Sequence, residues 1–284
     1  MIKTPLSTVI GGAFWTPGAT VINGAKLSFE IVMKKLFANG EQGFFYDPND
    51  LSTMYQDAAG TIPVTAVGQP VGLIRDKSGR NNHAFQPNSA SRPILRQNAV
   101  TGANYLEFDG SDDFLQTNNI DFTATDKVSL FAGVRKLSDA GTGMFVELST
   151  SADINPNSFY LAAPTAGVSS FRFYTRGSSS VNAVGAPFAT HQAPVSAVLT
   201  VKAQMTSQAQ HVLRVNQSSY SIQNFNAIGN YGNYPLYIGR RGGTAYPFNG
   251  HIYSLIGIGR LTTDSETITL EKSIAKNTGV TLSV

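Results

Sequence analysis

Apolar and polar residues alternate with a period of two through much of the chain, the pattern of strands whose successive side chains face opposite sides of a sheet. Val128–Val134, Met144–Leu148, Phe171–Thr175, Val195–Val201 and His211–Val215 all read this way. Between them, stretches such as 149–158 and 177–186 are rich in Ser, Asn, Pro and Gly and carry no helical period. Strands that succeed one another without helices form antiparallel sheets. The expected class is therefore all-β, a sandwich or jelly roll.

Two segments depart from this alternation. Near the C-terminus, Thr263 followed three residues later by Glu266 matches a capping box. Ile268 and Ile274 supply apolar positions, Lys272 and Lys276 lie toward the far end, and Gly279 is a stop. A closing helix is predicted there, covering a sheet end. In Lys26–Ala38, Leu27, Ile31 and either Leu36 or Phe37 recur at helical spacing, while Phe29, Ile31 and Met33 would also alternate as a strand, with Gly40 as a candidate stop. Residues 1–40 also hold the single Trp and a Gly/Pro-rich run from Gly11 to Gly24. Two organisations follow: a helix packed on the sandwich, or an N-terminal docking segment over 1–40, anchored by Phe14 and Trp15, ahead of a sandwich over 41–284.

Composition narrows the partners. A formal charge of +3, with basic residues scattered rather than clustered, argues against a nucleic-acid backbone. The absence of Cys removes disulfides, thiolate zinc sites and thiol nucleophiles. Thr4, Ser7 and Thr8 interrupt the first apolar residues, so no signal peptide is expected, and no apolar run is long enough for a membrane helix. The expectation is a chain made in the cytoplasm that does not insert into membranes.

The polar turn Leu73-Ile-Arg-Asp-Lys-Ser-Gly-Arg-Asn-Asn-His-Ala84, the later Tyr105-Leu-Glu-Phe-Asp-Gly-Ser-Asp-Asp-Phe-Leu115, and Leu236-Tyr-Ile-Gly-Arg-Arg-Gly-Gly243 with Phe248-Asn-Gly-His-Ile-Tyr-Ser-Leu-Ile256 stand in that order. Together they resemble the signature of the LamG-like, concanavalin A-like jelly-roll domains. The opening, with Tyr46-Asp-Pro-Asn-Asp-Leu51 before the Asp76-Lys-Ser-Gly79 turn, is similar to LamG-like proteins of tailed-bacteriophage virions. The resemblance implies an all-β jelly-roll sandwich with an N-terminal extension and a short C-terminal helix. It also implies a non-enzymatic virion protein, tail-associated and adhering to host-surface glycans, or else a head or tail cement protein that binds no sugar. Other virion proteins, reached through the N-terminal segment, and further copies of the chain in a homo-oligomer are the implied partners.

Candidate chemistry is sparse. Glycan binding needs aromatic faces and hydrogen-bonding side chains on loops; Tyr174, Arg176, Tyr231, Asn233, Tyr234, Arg240, Arg241 and Tyr246 have that character. Asp76, Asn81, Asp112 and Asp113 are oxygen donors at short spacing, suited to Ca²⁺ or, more simply, to Asx-type turns. Glu107 and Asp109 could share one strand face as a hydrolytic carboxylate pair, but Gly110 turns the chain at once, so no catalytic residue is assigned. The four His residues lack metal-ligand spacing, and no nucleophile elbow or phosphate loop is present.

Overall fold

The computed structural model describes residues 8–10, 13–15, 28–178, 180–221 and 228–283, with backbone alone for 8–10, 13–15 and 208. Two antiparallel sheets face each other. The first runs β17 (Ser218–Ser221), β16 (Ser207–Val215), β15 (Val195–Gln204), β10 (Lys127–Lys136), β19 (Asn249–Ile258), β8 (Asn104–Asp109) and β7 (Ile94–Gln97), with β3 (Gly43–Tyr46) on the second half of β19. The second runs β14 (Val181–Pro187), β13 (Ser169–Arg176), β12 (Ser158–Ala162), β11 (Met144–Leu148), β18 (Asn233–Ile238), β9 (Leu115–Asp121), β6 (Ala84–Phe85), β5 (Leu73–Ile74) and β4 (Met54–Tyr55). A separate hairpin joins β1 (Thr8–Ile10) to β2 (Ala13–Trp15).

The alternation read from the sequence is what fills the sandwich. Val128, Leu130, Ala132 and Val134 of β10 meet Phe159, Leu161, Phe171 and Phe173 of the opposite sheet in one buried core. Each such side chain removed from water stabilises the fold by roughly 1.5–3 kcal/mol. The five predicted strands all form. One linker does not behave as read: 177–186 contains most of β14, an edge strand paired along β13. Only alternate residues of β14 turn inward, Val184 and Ala186 among them, so its Ser- and Asn-rich context hid the strand.

Two helices cover part of the outer face of the first sheet. In α1 (Phe29–Leu36), Val32 and Leu36 are buried with Phe37, whereas Ile31 is 41% exposed. The inward stripe therefore lies one residue beyond the one the spacing suggested, and Leu27 falls outside the described residues. The closing helix α2 (Asp264–Thr278) has the predicted capping box and a left-handed Gly279. It lies along β10 and β15 rather than over a sheet end, with Leu270, Ile274 and Ala275 packed beside α1 on Phe131, Val198 and Ile256. Ile268, expected to face inward, is exposed. Buried Glu271 fixes the helix from below: it accepts from Thr200 at 2.9 Å and pairs with Arg214 at 3.0 Å. Gly133 of β10 lets α2 approach, because a Cβ there would lie 2.8 Å from Ile274 and from Thr278.

Asp76 ties the polar turn to the sheet. One oxygen accepts from the Phe45 and Ser78 amides at 2.8 Å; the other accepts from the Ser78 hydroxyl at 2.6 Å and the Asn82 amide at 3.0 Å. The Asp76 amide donates in turn to His83 Nδ1. Removing the carboxylate strands buried donors, each costing about 1–3 kcal/mol. Asp76→Ala should therefore destabilise the chain by at least about 3 kcal/mol in denaturant unfolding, with or without a calcium chelator. A cost under about 1 kcal/mol, or one that appears only when calcium is present, would contradict this role.

Candidate functional site

The half of the outer sheet face that α1 and α2 leave uncovered carries an open cleft of about 480 Å³. Its floor is set by strand register. Across the sheet, Glu107 of β8 pairs with His251 of β19, His251 with Arg135 of β10, and Arg135 with Ser196 of β15. Pairing of β10 with β19 slips between Gly133 and Val134, opposite Tyr253. Such a bulge adds a residue to one strand and re-aims its neighbours. Ile252 and Leu255 consequently both reach the core, while His251 and Tyr253 line the cleft together.

Three rings form one wall. Tyr105 stacks on His251 with centroids 4.1 Å apart at 18°, and tilts against Tyr253 at 5.1 Å. The facing wall is the β7–β8 turn and the end of α2. Asn98 organises that turn by accepting from the Val100 and Thr101 amides, and its Nδ2 donates to the Tyr253 hydroxyl at 3.0 Å. Accepting there leaves the Tyr253 proton for another acceptor. Thr101 donates to the Asn277 carbonyl, which joins turn to helix. Val100, at the rim, is 93% exposed.

Burial, then the nearby Arg135 charge, pushes the His251 pKa down to about 4 against the opposing pull of Glu107. Burial likewise raises the Tyr105 and Tyr253 phenols. The cleft thus presents neutral rings, one guanidinium, and the amides of Gln97 and Asn98. An apolar face bordered by fixed hydrogen-bonding groups suits a ligand with one apolar side and polar edges.

The residues singled out in the sequence lie elsewhere. Tyr174 is buried and stacks on Tyr160 at 4.6 Å on the outer face of the second sheet. Arg241 is held there by Glu147 at 2.9 Å and by Asp153, between the rings of Tyr160 and exposed Tyr246. Arg176 donates to the Asp153 carbonyl and Arg240 to that of Thr244. Tyr174, Arg176, Arg241 and Tyr246 therefore gather around one patch whose polar groups largely satisfy each other. Tyr231 is a core residue, 1% exposed and edge-on to Phe159, which corrects its assignment as a ligand contact. Asn233 and Tyr234 sit on β18 beside β9, and Tyr234 packs against the core.

The oxygen donors serve turns. Asp76 is occupied as described, and Asn81 holds a left-handed φ of 61°. Asp112 accepts from Ser91 at 2.5 Å and Asp113 from the Asp109 amide at 3.0 Å. Burial, then neighbouring Asp109, Asp112 and Glu107, raises the Asp113 carboxyl to about 6. No cluster of three or more His, Cys, Asp or Glu with metal-holding geometry occurs among the described residues. Glu107 pairs with Arg96 at 2.6 Å, and Asp109 accepts from Ser111 and Asp112, so neither carboxylate of the considered pair is free. The side chains of Phe14 and Trp15 lie outside the described residues.

No family model and no curated protein matches this sequence. Solved structures do. Domain 4 of AbnA, an extracellular arabinanase from Geobacillus stearothermophilus solved with arabinotriose, superposes with a TM-score of 0.55 at 13% identity, over 81% of this chain and 98% of that domain. The ligand-binding domain of botulinum neurotoxin serotype D, solved with N-acetylneuraminic acid, gives 0.56 at 7% identity over 85% of this chain and 52% of that one. The fold is a jelly-roll β-sandwich. Against the neurotoxin domain, this jelly roll spans about half the partner's length. At such identities the likeness concerns the fold alone.

Between pH 6.5 and 4 an unfolded chain protonates at His251 while the folded jelly roll does not, so this residue makes stability fall as pH falls through that window and no further below it. Buried His211, also lowered to about 4, acts with the same sign. An NMR titration should place the His251 midpoint near pH 4; a midpoint at the ordinary 6.5 would mean that the stack with Tyr105 is not closed.

Proposed function

We propose that this chain is a non-enzymatic, glycan-binding jelly roll, displayed in several copies on a tailed-phage particle and adhering to host-surface polysaccharide through the cleft beside α2. The observation that carries the binding reading is the convergence of Tyr105, His251 and Tyr253 with Asn98 and Arg135 around an open cleft of ligand size. Pyranose rings offer CH groups on one face and hydroxyls at the edge, the complement of this wall and its rim. The cleft is held by strand register and a helix end, so little ordering cost accompanies binding. The particle assignment rests on the sequence resemblance over the opening turns, and the non-catalytic reading on the commitment of Glu107 and Asp109 to internal partners.

Calorimetric titration of the whole chain with host-surface oligosaccharides tests the reading. Tyr105→Ala should weaken binding about tenfold or more, since stacking contacts contribute on the order of 1–3 kcal/mol. Tyr246→Ala, on the other sheet, should leave affinity unchanged. Loss with Tyr246→Ala and retention with Tyr105→Ala would transfer the site to the Arg241 patch.

A further inference from the structure

The charge balance of the cleft narrows its ligand. No Asp or Glu lines it, and among its lining residues Arg135 alone carries a full charge. Neighbouring charges are already matched: Arg96 takes Glu107 at 2.6 Å, and the outer sheet face beneath α2 is neutralised by the Arg214–Glu271 pair. Arg135, by contrast, forms no ion pair among the described residues; its NH1 donates to the Ser196 hydroxyl at 3.3 Å. A guanidinium has five donors arranged as a planar fork. One neutral acceptor leaves most of that fork without a partner from the protein.

The end of α2 could offset this charge, because a helix C-terminus carries partial negative charge on its last carbonyls. Here several late carbonyls already accept hydrogen bonds. Ala275 accepts from the Gly279 amide, Asn277 from the Thr101 hydroxyl, and Ile274 from the Thr278 hydroxyl. That partial charge is shared with the donors of Gly279 and Thr101, and Arg135 remains the one full charge among the residues lining the cleft. His251, paired with Arg135 across the sheet, is a neutral ring and offers it no counter-charge.

Resting on the glycan-binding reading above, we infer that the cleft selects a sugar bearing a carboxylate, with the ring against Tyr105 and Tyr253 and the carboxylate on the free fork of Arg135. A planar carboxylate matches the fork with two parallel bonds, whereas a sugar hydroxyl can satisfy only one donor at a time. The Tyr253 hydroxyl, already accepting from Asn98, can donate to a second oxygen of the same ligand.

The test uses matched pairs in which the carboxylate is either free or masked as its methyl ester. An oligogalacturonate trimer and its methyl ester form one pair, sialyllactose and its methyl ester the other, each titrated calorimetrically into the whole chain. The carboxylated member of at least one pair should bind about tenfold tighter than its neutral counterpart, with a preference that shrinks as salt is added. Whichever pair shows the gain separates a hexuronate from a sialate. Arg135→Gln should abolish the preference, bringing the affinity for the carboxylated member to that for its ester, and Arg135→Lys should keep part of it, because charge remains without the fork. Binding of neutral sugars with no gain from the carboxylate, or a gain that survives Arg135→Gln, overturns the inference and leaves glycan binding standing. Absence of binding by every member of both pairs overturns glycan binding at this cleft and the inference with it.

Discussion

Strand β19 hydrogen-bonds to β10 along one edge and to β8 and then β3 along the other, so ten residues determine how three parts of the first sheet meet. Close packing makes this arrangement unforgiving. A Cβ on Gly257 would lie 2.2 Å from the Phe44 ring, and one on Gly250 would lie 2.3 Å from the Arg135 carbonyl. Strand register transmits that constraint to the surface, because shifting β19 by one residue would exchange its inward and outward side chains. The row Glu107–His251–Arg135–Ser196 exists only in this register. The bulge opposite Tyr253 then lets Ile252 and Leu255, three residues apart, both reach the core while His251 and Tyr253 stay outside.

The outer face of this sheet is divided by what covers it. Over β15 and the start of β10, Phe131, Val198 and Ile256 are sealed by α1 and α2, a mainly apolar junction into which Glu271 is set with its partners Thr200 and Arg214. Gly133 marks the end of that coverage, since it sits directly beneath Ile274 and Thr278. Two residues further along β10, Arg135 emerges on the uncovered side. The helices thus provide one wall of the cleft as well as stability, and the Thr101–Asn277 hydrogen bond couples the two roles.

Much of the fold was legible because burial on one side imposes period-two alternation, and the capping box of Thr263 and Glu266 forms as its residues suggest. The misread parts are those where local composition and final environment diverge. Strand β14 was hidden by the Gly-Ser-Ser-Ser run before it and by Asn182 and Gly185 within it, and α1 buries Val32 instead of Ile31 because the sheet, not the helix, decides which side is wet. The cleft was less legible than the fold. Tyr105, Arg135, His251 and Tyr253 come from three strands, and only the register of those strands unites them; the one local hint was that His251 and Tyr253 are two residues apart in a strand. Arg241 misled for the complementary reason. Its partners Glu147 and Asp153 lie far away in the chain, so nothing near it in sequence revealed that its charge was already matched.

The most direct test of a ligand site on the uncovered half of the first sheet is a chemical-shift map of the chain during titration with a bound oligosaccharide. Perturbations should concentrate at Asn98, Tyr105, Arg135, His251 and Tyr253, and spread no further than the last turn of α2. Shifts centred instead on Tyr160, Arg241 and Tyr246, with the β8–β19 surface silent, would contradict it.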